Sequence, residues 1–206
     1  MMNIGGQMIT NNYNILLIGD VHGNTGAYKA LINNHTGDSI QLGDFGFKKE
    51  HMWHLRHIDN RKHKIIFGNH DFYPFLTASH NLKDWTFLHD NKILAIRGAH
   101  SIDSYMRIEG RDWFENEELT YGQLNCCLDE YEKYKPEIVL THTCPQIITE
   151  MYFNIYDKTT TGNGLQAMFE IHKPKLWIFG HHHKDLNETV LGTQFICLSE
   201  LKTLII

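Results

Sequence analysis

No run of apolar residues in this chain approaches the length of a bilayer-spanning helix, so a membrane protein of that kind is not expected. Basic charge is not in excess either: 19 Lys and Arg stand against 24 Asp and Glu, for a formal net charge of -5. That balance lacks the footprint of a protein that grips nucleic acid regardless of sequence, although a small nucleotide can still be held locally. Cysteine is sparse. Cys126, Cys127, Cys144 and Cys197 follow neither a zinc-knuckle spacing nor a disulfide framework, which points to reduced thiols and a cytoplasmic protein. Met1 to Asn14 lack a basic stretch followed by an apolar one, so no secretory signal is read there. Linkers, repeats and low-complexity tracts are missing too. Residues 1–13 are expected as a loose extension and residues 14–206 as a single domain, the number that a length of 206 residues suggests.

What is present is a series of short apolar runs: Ile15 to Ile18, Ser39 to Leu42, Lys64 to Phe67, Ile138 to Leu140 and Leu176 to Phe179. Their length and flanking glycines predict buried strands of an α/β sheet. Trp85 to Leu88 and Lys92 to Ile96 alternate around the turn-like His89-Asp90-Asn91 and read as two further strands. Helices are expected over Ala27 to Asn34, over Glu50 to Asn60 with Met52, Leu55 and Ile58 on one face, after Thr120, and over Gly164 to His172. Thr120 with Gln123 matches a capping box. Thr189 to Ile206 reads as two or three antiparallel strands. Two mixed sheets packed face to face, with helices outside, would bury all of these faces.

Several of the runs end in polar residues: Asp20-Val21-His22, Gly43-Asp44, Gly68-Asn69-His70-Asp71, Thr141-His142 and Gly180-His181-His182-His183. Ligands of open α/β sheets bind at the carboxyl ends of strands, so these clusters are expected to converge. In extended chain, residues i and i+2 share a side. Asp20 and His22 would then face one cation while Val21 turns inward, and His181 and His183, with the same spacing, would be ligands while His182 points elsewhere. A carboxylate at Asp44 has two oxygens with which to bridge two cations, Asn69 offers an amide oxygen, and His142 a further imidazole. This oxygen and nitrogen set suits two divalent cations of hard or borderline type, Mn first, with Fe, Ni and Zn as alternatives. A lone strand-end histidine such as His142 is often structural, and Cys144 beside it lacks a base in sequence, so it reads as a small buried residue rather than a nucleophile.

The ordered set D-x-H, G-D, G-N-H-D, T-H and G-H-x-H, from Asp20 to His183, resembles the calcineurin-like metallophosphoesterase superfamily. The resemblance implies a four-layer α/β/β/α sandwich. It implies that Asp20, His22, Asp44 and His183 hold one metal and Asp44, Asn69, His142 and His181 the other. It also implies that His70 acts on the phosphoryl group or its leaving oxygen, with Asp71 hydrogen-bonded to His70 to hold its ring. The implied reaction is hydrolysis of a phosphate monoester or diester by a hydroxide shared between metals roughly 3.5–4 Å apart.

The pattern departs from that of the protein phosphatases. Gly43-Asp44-Phe45-Gly46-Phe47 lacks their second aspartate and phosphate-gripping arginine, and the third motif ends in Asp71 rather than glutamate. A serine/threonine-type phosphatase is therefore a weaker alternative than a nucleotide, dinucleotide or cyclic-nucleotide phosphodiesterase. A catalytically silent metal-binding scaffold is the reading outside enzymes. Arg97, Arg107 and Arg111 are candidates for the missing cation, and the segment from Gly98 to Trp113, with His100, is a candidate rim for substrate selection. The expected substrate is a phosphorylated small molecule, a nucleotide or a phosphopeptide.

Overall fold

Four of the apolar runs become parallel strands whose alternate residues are buried on both sides. The computed structural model describes residues 13–206; the expected extension lies outside the described residues, apart from Tyr13, whose ring packs on His89 at 4.8 Å. Strands β1 (Ile15–Ile18), β2 (Asp38–Gln41) and β3 (His63–Ile65) pair in parallel. A second, six-stranded sheet holds β4 (Trp85–Leu88), β5 (Ile93–Ile96), β6 (Ile138–Thr141), β7 (Leu176–Phe179), β8 (Leu186–Val190) and β9 (Thr193–Cys197), in the order β4-β5-β6-β7-β9-β8. The last strand, β10 (Thr203–Ile205), pairs antiparallel with β1 and makes the first sheet four-stranded.

The two-residue period of a strand decides the layers. Ile15 and Leu17 of β1 face Ala95, Leu140 and Ile178 of the other sheet, while Leu16 and Ile18 face helices α1 (Thr25–Asn33) and α2 (Lys49–Trp53). On the far side, Val139, Trp177 and Phe195 pack under α3 (Tyr121–Tyr134) and α5 (Thr160–Ile171), with Ile148 of the short α4 (Gln146–Ile148) in the same cluster. Three apolar layers thus separate the four structural ones, and each fully buried Leu or Ile in them stabilises by about 1.5–3 kcal/mol. Among the described residues no helix is long and apolar enough to cross a membrane.

Helix α3 begins as its sequence foretells: Gln123 N–H donates to Thr120 Oγ1 at 3.3 Å, and Thr120 N–H donates to Gln123 Oε1 at 2.9 Å. Three expectations need correction. The helix over 50–60 is shorter, with α2 giving way to a 3₁₀ turn at His54–His57 and to extended chain at Ile58. Met52, Leu55 and Ile58 are spaced by three, which is the 3₁₀ period as much as one face of an α-helix. Helix α5 starts four residues earlier than Gly164, because Thr159 Oγ1 caps Gly162 N–H and Gly164 sits against Leu124 of α3, where a Cβ would meet its side chain at 2.8 Å. In the tail, β8 and β9 form the expected antiparallel pair, but β9 also runs parallel to β7, and β10 leaves that sheet for the other.

Candidate metal centre

Strands β1, β2, β3, β6 and β7 all point their carboxyl ends at one place, and within four residues of each end stands Asp20, Asp44, Asn69, His142 or His181. Two groups of potential ligand atoms form there, each within 4.8 Å across: Asp20, His22, Asp44 and His183, and Asp44, His142 and His181. Asp44 belongs to both. Its Oδ2 lies 3.9 Å from His22 Nε2, and its Oδ1 lies 3.1 Å from His142 Nε2. In the first group His183 Nε2 is 3.3 Å from Asp20 Oδ2 and 3.1 Å from His22 Nε2. Asn69 joins the second group, with Oδ1 at 3.2 Å from His142 Nε2.

The backbone bends to achieve this. His22, Asp44, His181 and His183 take φ of 46°, 58°, 69° and 51°, so the chain is turned and not extended where these side chains emerge. Val21 is buried, as the alternation required, and His182 turns away to stack on Phe153 at 4.0 Å. The glycines before three of the motifs have a packing reason that spacing alone did not reveal. A Cβ at Gly43 or Gly68 would collide with the His142 ring, and one at Gly180 with Asp20 Oδ1.

The donor set fits cations. Asp20 is fully buried, yet its Oδ2 carries no hydrogen bond, and a buried carboxylate oxygen without a partner is costly. Burial, with added repulsion from Asp44 and against the pull of His142, pushes Asp20 up to about 7. Burial opposes charge on His142 and Asp44 too, but their mutual attraction wins: His142 rises to about 9 and Asp44 falls below the usual carboxylate range. Burial holds His22, His70 and His181 below the usual imidazole value. So many acidic oxygens crowded out of water call for positive charge among them. His142 is already oriented for this: its Nδ1 donates to Leu42 O at 2.7 Å, which leaves Nε2 facing Asp44 and Asn69.

Asp71 does not make the hydrogen bond to His70 that the resemblance implied. Its carboxylate accepts the backbone N–H groups of Asp44 (2.9 Å), Gly46 (3.0 Å) and Gly68 (2.7 Å) and has no bond to the His70 ring. Adjacent side chains diverge, so Asp71 turns into the protein and fastens two strand-end loops together. Asp71→Asn is expected to cost about 1–3 kcal/mol, because an amide must set its NH₂ against one of these donors. Chemical denaturation checks this, and a variant as stable as wild type would contradict it.

The partner of His70 is Arg107, whose Nη2 donates to His70 Nε2 at 2.7 Å. Asp103 holds the same guanidinium through Nε at 2.7 Å and Nη2 at 2.9 Å. Of the other candidates, His100 lines the same cleft, 3.3 Å from Glu118. Arg97 and Arg111 do not reach it. Arg97 is buried against Asp84 at 2.7 Å, and Arg111 pairs with Asp112 on a separate surface. An arginine's direction depends on its loop, and sequence position alone did not separate the three. Ser101 and Glu117, which no motif announced, also reach the centre: Asn69 Nδ2 donates to Ser101 Oγ at 3.1 Å, and Ser101 is bonded to Glu117.

Two facing mixed sheets with a carboxylate shared between two ligand groups at the strand ends define a metallohydrolase-type sandwich. The profile of the calcineurin-like phosphoesterases matches residues 13–185, and the chain belongs to that family. A dimetal phosphatase from Danio rerio has a similar fold, with a TM-score of 0.58 at 13% identity over 93% of this chain and 88% of that one. So does a protein designated a 5'-nucleotidase from Staphylococcus aureus, with a TM-score of 0.52 at 16% identity over 91% of this chain and 48% of that one. This chain therefore spans about half the length of the latter. No curated protein matches the sequence.

Proposed function

We propose that this protein hydrolyses phosphate monoesters or diesters of small phosphorylated molecules with two divalent cations. Asp20, His22, Asp44 and His183 would hold one, and Asp44, Asn69, His142 and His181 the other. The observation that carries this is the division of Asp44, with one oxygen turned to each group. Bound there, a cation pair supplies a water acidic enough to serve as nucleophile near neutral pH. Manganese suits the mixed oxygen and imidazole set, as do Fe, Ni and Zn.

The chain's own residues do the rest. Arg107, fixed by Asp103, presents a forked donor beside His70. A phosphoryl oxygen entering the cleft competes for that N–H and suits the planar fork. His70, its Nε2 released from Arg107, is placed to take up the proton shed by the attacking water and pass it to the leaving oxygen. The cleft measures about 560 Å³ and is walled by Ile102, Tyr152, Phe153 and Ile155 beside the ligand groups. That size and apolar wall favour a small ester with an organic leaving group, nucleotides included.

The test is turnover of nitrophenyl monoester and diester, nucleotides, cyclic nucleotides and phosphopeptides with Mn²⁺, Fe²⁺, Ni²⁺ and Zn²⁺. Protein that binds two cations but turns over none of these would be a silent scaffold. Arg107→Ala is expected to raise KM roughly 10- to 100-fold, the worth of a hydrogen bond to a charged group at about 1.5–3 kcal/mol. Arg111→Ala is expected to leave KM alone, and equal effects of the two substitutions would refute the assignment.

A further inference from the structure

Asn69 presents the only neutral oxygen proposed for either cation, and an amide can turn the wrong way. Its Nδ2 lies 3.1 Å from Ser101 Oγ, and its Oδ1 faces His142 Nε2 at 3.2 Å. Behind Ser101 stands Glu117, only 2% exposed, whose Oε1 accepts Ser101 N–H at 2.6 Å and whose Oε2 accepts the Ser101 hydroxyl at 2.7 Å. An ionised carboxylate only accepts, and a hydroxyl has one proton. That proton is committed to Glu117, so toward Asn69 the Ser101 oxygen can only accept. The NH₂ of Asn69 must therefore face Ser101, and its oxygen must face Asp44 and His142. Two further contacts keep Glu117 in place: Tyr73 Oη donates to its carbonyl at 2.9 Å, and Arg97 donates to the neighbouring Asn116 carbonyl at 2.9 Å.

We infer that Ser101 and Glu117 are positioning residues that lock the Asn69 amide with its oxygen toward the second cation. The inference rests on the dinuclear reading above. The polarity runs one way, from the carboxylate through the hydroxyl to the amide, and the three residues come from well-separated parts of the chain. Such outer partners set a ligand's orientation, and their loss typically costs about 10–100-fold in metal affinity.

Calorimetric titration of metal-stripped protein with Mn²⁺ tests it without reference to turnover. Wild type is expected to show two binding events. Ser101→Ala is expected to weaken one of them by about 10–100-fold and to leave the other unchanged. Glu117→Gln keeps the volume but brings a donor, which reverses the relay and turns the Asn69 NH₂ toward the cation, so it is expected to do at least as much. In an Asn69→Ala background, Ser101→Ala is expected to add nothing, since its effect passes through that amide. Two wild-type events that Ser101→Ala leaves untouched would overturn the relay alone. So would a loss that persists undiminished without Asn69. Wild-type protein that takes up no Mn²⁺ at all would instead overturn the dinuclear reading, and the relay with it.

Discussion

Asp44→Asn is expected to abolish stoichiometric binding of both cations, and turnover with it, while the protein stays folded. Asp44 is 1% exposed and is the one carboxylate common to the two groups, so an amide there removes a negative charge from both at once. Asparagine has one oxygen to present and must aim an NH₂ at whichever group the oxygen does not face. The loss should exceed the about 10–100-fold that outer-shell changes cost, since a direct donor is altered. Folding should survive, because φ at this residue is 58°, a conformation that asparagine tolerates as well as aspartate does. Metal content by mass spectrometry or atomic emission decides the matter. Two equivalents retained in Asp44→Asn would rule out the bridge.

His70→Ala is expected to separate binding from chemistry. The His70 side chain belongs to neither ligand group, and its link to Asp44 is through the backbone, with His70 N–H donating to Asp44 Oδ1 at 2.7 Å. Alanine keeps that bond. Cation stoichiometry should therefore stay at the wild-type level while kcat falls by about 10²–10⁴-fold, the usual contribution of a positioned acid or base. Turnover near wild type would remove His70 from the reaction. A rise in KM matching that of Arg107→Ala, with kcat intact, would mean that the ring serves only as a rest for the guanidinium.

Much of this centre was legible because its parts are local. An apolar run and then a polar residue, with a glycine between them in four cases of five, mark a strand end, and five such ends at the same side of two sheets must meet. That logic brings Asp20, His22, Asp44, His142, His181 and His183 to one place, and the structure gathers them there by turned rather than extended chain. What the structure does not bear out is the carried-over bond between two neighbours in the chain. Asp71 follows His70, yet consecutive side chains leave the backbone in different directions, and of its three amide partners Gly68 opens its own motif while Asp44 and Gly46 lie on another stretch. Arg97, Arg107 and Arg111 looked alike because nothing in their immediate neighbours says which loop folds inward. Ser101 lay within the candidate rim, but its bond to Asn69, like the part played by Glu117, was invisible for a related reason. Serine and glutamate are common residue types, and only the tertiary arrangement brings them 32 and 16 positions along the chain to their partners. Likewise β10 crosses to the other sheet because a free edge of β1 awaits it there, a fact of assembly rather than of the tail's own pattern.

The stretch from Arg97 to Glu118 is not an interchangeable rim. In one span it fastens to Asp84, steadies Asn69, aims the guanidinium over His70 and lends Ile102 to the cleft wall. Grafting a relative's version to alter substrate choice would disturb metal geometry and chemistry in the same stroke. Selectivity here would have to drift by single replacements at the tip of that span, or from the facing turn around Tyr152 to Ile155.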